Sequence, residues 1–201
     1  MAANGTRMSE MTTSRLEAFS DGVIAVIITI MVLELRAPGQ PTLAAVIKIS
    51  PAFITYGLSF LVAAIMWINH HHLIHAVHSV TARLLWSNMN LLFWMSLVPF
   101  VTEFLAKNYR EPLAVALYGL DLTFCSLGFY FLRSELVRQS RHDPAMTEYH
   151  QQVQRKNFFS GLLYMSSIPL AYVSIYASFL IFVLIPGLYF LPEKKLGSGE
   201  K

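Results

Sequence analysis

The run NHHHLIHAVH, from Asn69 to His78, holds five of the seven histidines in the chain. His71, His75 and His78 follow at offsets of four and three residues, which on a helix is one face. Imidazoles so spaced hold zinc or another transition metal when a carboxylate or thiolate completes the set. No such group stands nearby in the sequence, so the expectation is that no metal is bound and that the histidines serve as hydrogen-bonding groups, with pH sensing as an alternative. A second cluster, RLEAFSDG, places Arg15, Glu17, Ser20 and Asp21 within two helical turns at the head of an apolar run. Ser20 and Asp21 in a first turn would cap the helix against its positive end; the whole set together would instead form a buried polar network. Asp121 stands alone near the middle of another apolar run, where a carboxylate is costly without a proton or a partner. Neighbouring hydroxyls are the expected partners, and a proton relay is the alternative.

These groups must be positioned by helices in a membrane. Of 201 residues, 55% are hydrophobic and 13% charged, and the mean hydropathy is +0.49, far from a soluble domain. The apolar runs are continuous rather than alternating, which excludes a barrel pattern. Six transmembrane helices are expected, at about 17–35, 51–69, 84–106 and 112–132, with the long run 157–192 broken near 171–174 into two. Pro51 and Pro112 open the second and fourth, and the histidine cluster closes the second. With both termini cytoplasmic, eleven of the fifteen Lys and Arg residues lie inside. This gives a cytoplasmic segment 1–14, a membrane domain 15–192 and a cytoplasmic tail 193–201. The net charge of +3 then sets topology, and no nucleic-acid partner is implied. Cys125 is the single cysteine, so no disulfide framework exists. No nucleophile motif of the Gly-x-Ser-x-Gly type occurs, and the histidines crowd one helix end rather than facing one another across a bundle as haem ligands do; no enzyme and no cofactor are expected.

On the first helix Gly22, Val26, Thr29, Ile30 and Leu33 share one stripe, and Ile24, Ala25, Ile28, Met31 and Val32 the other. Both are apolar, so the pattern leaves open which one meets lipid. RLEAFSDG carries Arg15, Phe19, Ser20 and Asp21 at the spacing of an Arg-x-x-x-Phe-Ser-Asp signature, followed by TIMVLEL in register. In this it resembles the transmembrane protein 175 family, the endosomal and lysosomal potassium channels, whose bacterial members have a single repeat. WINHHHLIHAV is similar to the family's Trp and His motif, NLLFWMSLVPFVTEFL to its third helix, and the likeness extends over about 10–192.

The resemblance implies a homotetramer in the inner (plasma) membrane, with a central pore lined by the first helix of each subunit. Val26, Ile30 and Leu33 would form apolar constrictions and Thr29 a hydroxyl ring. Arg15, Phe19, Ser20 and Asp21 would steady that helix from the side, with Trp67 and one or more of Asn69, His70 and His71 as partners. TVGYG is absent, so no carbonyl filter can be built. A hydrophobic gate would favour the more cheaply dehydrated ion, potassium over sodium, and only weakly. The competing expectation is a proton- or cation-coupled secondary transporter using Asp21 or Asp121, against which stands the lack of a visible inverted repeat.

Overall fold

A computed structural model describes residues 12–77, 79–139 and 144–189. His78, residues 1–11 and the tail 193–201 therefore lie outside the described residues. Within them the chain forms α1 (Thr13–Leu33), α2 (Leu43–Lys48), α3 (Ser50–His75), α4 (Ala82–Lys107), α5 (Pro112–Gln139), α6 (Pro144–Val173) and α7 (Ile175–Tyr189), and no strand.

Among the described residues seven helices stand where six transmembrane helices are expected. The added one, α2, starts where the Thr42 hydroxyl accepts from the Ala45 amide and ends at Ile49, which also begins α3 just ahead of Pro51. Six residues rise only about 9 Å, too little to cross a bilayer, and none of them is buried. Among the described residues four helices, α1, α3, α4 and α5, are long and apolar enough to span a membrane. Others overrun their expected ends. α3 continues through the histidines to His75, because Ala76 and not a histidine supplies the terminal bonds, to Leu73 and Ile74. α5 continues to Gln139, held by the buried Leu132, Arg133 and Leu136.

α6 takes up part of the polar connection and then the fifth apolar run. Its break from α7 falls at Ser174, inside the expected interval; Pro169 stays within α6. The Ser174 amide closes α6 on Leu170 at 2.7 Å, and its carbonyl receives the Ala177 amide that opens α7. The two helices then fold back on each other. Ser178 donates to the Ser167 carbonyl at 2.8 Å, the Tyr164 and Phe182 rings meet, and Tyr189 donates to Asn157 at 3.0 Å, pairs that recede evenly from Ser174.

α5 lies at the centre, packed chiefly against α6 and α4. Its Tyr118 ring meets Phe182 edge-on and its hydroxyl lies 3.0 Å from Ser59, which accepts from Thr102 at 2.8 Å. That hydroxyl cluster ties α3, α4 and α5 where water is excluded; such bonds contribute about 0.6 kcal/mol each. Small residues let the backbones approach. A Cβ on Gly128 would lie 3.0 Å from the Leu91 Cα, so α4 would have to move. Gly128→Ala is expected to cost about 1–3 kcal/mol and to lower the thermal denaturation midpoint in detergent. Gly187→Ala, where a Cβ meets nothing within 4 Å, should leave it unchanged.

Candidate functional site

α1 is clamped along one face and bare along the other. Leu16, Ile24, Ile27 and Met31 are buried against α3 and α4. Val26, Ile30 and Leu33 are 54%, 42% and 76% exposed, with Gly22 and Thr29 exposed beside them. Ala25 and Val32 belong to this bare arc too. The Thr29 hydroxyl donates to the Val26 carbonyl at 2.8 Å, which spends its hydrogen inside the helix and leaves its lone pairs outward.

The cap reading of Ser20 and Asp21 is corrected. α1 starts at Thr13, and Thr12 caps it by accepting from the Arg15 amide. Ser20 and Asp21 therefore sit two turns inside, where no amides are free to receive them. They reach sideways instead. The Trp67 indole donates to Asp21 Oδ1 at 2.9 Å. Ser20, fully buried, donates to the Leu16 carbonyl at 2.9 Å and accepts from Asn88 Nδ2 at 3.0 Å; Asn88 Oδ1 is 2.8 Å from His70 Nε2.

The directions in this chain are forced. A carbonyl only accepts, so Ser20 must donate to Leu16 and offer its oxygen to Asn88; Asn88 then presents its NH2 group to Ser20 and its oxygen to His70. His70 Nε2 is left as the donor. His70 Nδ1 is enclosed and makes no hydrogen bond.

The remaining sequence-predicted residues divide. His71 reaches Glu17, with Nδ1 3.1 Å from Oε1, and its ring stacks on Trp67. Asn69 lies apart, lining a small cavity with Ser126, Asn157 and Tyr189 rather than joining Ser20 and Asp21. Arg15 is exposed and pairs with no carboxylate among the described residues, and Phe19 points out of the bundle. Asn88 is absent from the sequence-predicted set, although an amide beside an apolar run signals a needed partner. The missing carboxylate for the histidines is present after all: Glu17 arrives from α1 to meet His71 and His75. Asp121 finds none of its expected hydroxyl partners. Both its oxygens are enclosed without a hydrogen bond, since Ser59, Thr102 and Tyr118 bond one another and Thr123 bonds the Gly119 carbonyl.

The family model for the endosomal/lysosomal potassium channel TMEM175 matches residues 15–99, the stretch that holds α1 from Arg15 onward, the Trp67 and His70 segment and Asn88. A protein of Chryseobacterium sp. (strain P1-3) named as a potassium channel is 36% identical over 192 residues, covering 95% of this chain and 99% of that protein. The chain belongs to the TMEM175 family. Another TMEM175 relative, a potassium channel of Streptomyces collinus, is 34% identical over 172 residues, 81% of this chain and 84% of its own. The crystal structure of a lysosomal potassium-selective channel TMEM175 homolog from Chamaesiphon minutus superposes with a TM-score of 0.76 at 25% identity, covering 88% of this chain and 95% of that one. This TMEM175 member is thus a multi-pass membrane protein among channels, not enzymes.

Proposed function

We propose that the chain assembles as a homotetramer whose four α1 helices line a potassium pathway on the symmetry axis. The observation that carries this reading is the bare arc of α1, which no other element among the described residues covers although its opposite face is packed. Relatives matched over nearly their whole length and named as potassium channels support it. A closed ring of four copies satisfies such an arc on every subunit with one repeated contact.

In this arrangement Val26, Ile30 and Leu33 form apolar rings, and the Thr29 oxygens, whose hydrogens are committed to Val26, stand ready as acceptors for a cation. An apolar ring narrower than a hydrated ion expels water and raises a barrier; widening re-wets it. Preference falls to the ion that sheds water more cheaply, potassium over sodium, and is weak because no carbonyl cage repays dehydration. Arg15 and Phe19, which point away from the subunit's own core, would face neighbouring copies or lipid. Residues 15–192 form the channel domain of an inner-membrane protein with both termini in the cytoplasm. No cofactor takes part.

The test is twofold. Purified protein should have a particle mass of four times the 22.7 kDa subunit, after subtraction of detergent. Planar bilayers with potassium on one side and sodium on the other should show resolvable current steps and a reversal potential displaced modestly toward potassium. The unpartnered Asp121 favours the coupled transporter as second reading; flux without unitary steps, abolished by Asp121→Asn, would establish that one instead.

A further inference from the structure

Where the first turns of α1 meet the last turns of α3, Glu17, His71 and His75 converge. Glu17 Oε1 lies 3.1 Å from His71 Nδ1 and 3.0 Å from His75 Nδ1. The two imidazole centroids are 4.5 Å apart, and the ligand atoms of all three residues lie within 4.8 Å of one another. His71 Nδ1 is enclosed, yet its approach to the carboxylate is off the line of a hydrogen bond.

We propose that Glu17, His71 and His75 form a binding site for a transition-metal dication of the zinc class, with water as the fourth ligand. A tetrahedral zinc with bonds of about 2.0–2.1 Å sets its ligand atoms roughly 3.3 Å apart, close to both measured separations. Two histidines four residues apart on a helix present their nitrogens on one face. Two nitrogens and one oxygen suit zinc; calcium and magnesium take oxygen sets.

The surroundings fit as well. The Trp67 ring stacks on His71 at 5.8 Å while its indole nitrogen is held by Asp21, and this fixes the orientation of the His71 ring as an outer shell does in metal sites. Side-chain exposures of 62% for His75, 38% for His71 and 21% for Glu17 leave an open entry and room for the water. The site joins two helices of one subunit and does not depend on conduction, so its failure and the failure of the channel reading are separable.

Zinc chloride titrated into tag-free protein in detergent, followed by calorimetry, should give one ion per subunit. Glu17→Gln and His75→Gln should each weaken binding tenfold or more. His72→Gln, an exposed neighbour outside the cluster, should leave affinity unchanged. Because both test residues are partly exposed and the replacements are close in size, retention of the wild-type elution volume checks folding. Cobalt in place of zinc should give the visible absorption of a tetrahedral ion in the wild type and lose it in both variants. Absence of bound zinc, or equal affinity in the wild type, Glu17→Gln and His75→Gln, overturns the proposal.

Discussion

Replacing Ile30 with Ser should raise potassium current through reconstituted bilayers tenfold or more, with a loss of potassium-over-sodium preference smaller than the gain in conductance. Four isoleucines meeting on an axis form a ring that water wets poorly, and a cation inside it meets a barrier because nothing replaces its hydration. Each reduction of about 1.4 kcal/mol in such a barrier multiplies the rate tenfold. A serine hydroxyl both shortens the side chain and supplies an oxygen, so the two effects act in the same direction. Ile30 is 42% exposed on α1, so the substitution disturbs the subunit's own packing little. Val26→Ala, one turn away, should give a smaller increase. Single-channel recording decides the matter: unchanged conductance in both variants would mean that the bare arc of α1 faces lipid.

Asn88→Leu should be the most damaging near-isosteric substitution in the bundle. The amide is fully buried and satisfies two helices at once, accepting from His70 on α3 and donating to Ser20 on α1. Leucine leaves the His70 Nε2–H enclosed without an acceptor, a loss of about 1–3 kcal/mol, and Ser20 without its donor, which adds to it. The expected readout is a marked fall in the denaturation midpoint. A double-mutant cycle with Ser20→Ala refines this. If the two residues act through their 3.0 Å bond, the pair should cost less than the sum of the singles; strict additivity would show that Asn88 serves His70 alone.

Much of the architecture follows from length and apolar content. The segments 51–69, 84–106 and 112–132 each lie inside an observed helix because about 20 apolar residues have few other ways to satisfy their backbone in a membrane. Ser174 was legible as a break because the last apolar run was too long for one crossing. α2 was not, since a helix of six residues with no buried face leaves no periodicity to detect. The overruns of α3 and α5 have a different reason: polarity reads as the end of a helix, whereas His70, Arg133 and Leu136 are buried in the bundle.

Within the candidate site, Asp21 meets Trp67 directly, and Ser20 reaches His70 only through Asn88. That intermediary could not be read from RLEAFSDG or WINHHHLIHAV, because it stands on a third helix. Glu17 and the pair His71 and His75 stand within the two motifs themselves, yet nothing in either motif matches them. A contact between residues 54 and 58 positions apart is set by how α1 lies across α3, which no local spacing encodes.

The pairing of α5 with α6 has a mechanical consequence. At 1.5 Å per residue the 30 residues of α6 extend about 45 Å, against a hydrocarbon layer of about 30 Å. With α6 crossing the bilayer in the proposed channel, its polar first turns would emerge from the lipid alongside the end of α5, to which Gln154 is joined through Ser134 at 2.7 Å. Such a stem works as a lever: a ten-degree tilt of the pair carries its far tip, with a reach of about 15 Å, through roughly 3 Å. A fluorophore on the exposed Glu148 would turn rearrangements hidden within the bilayer into a signal in the aqueous phase.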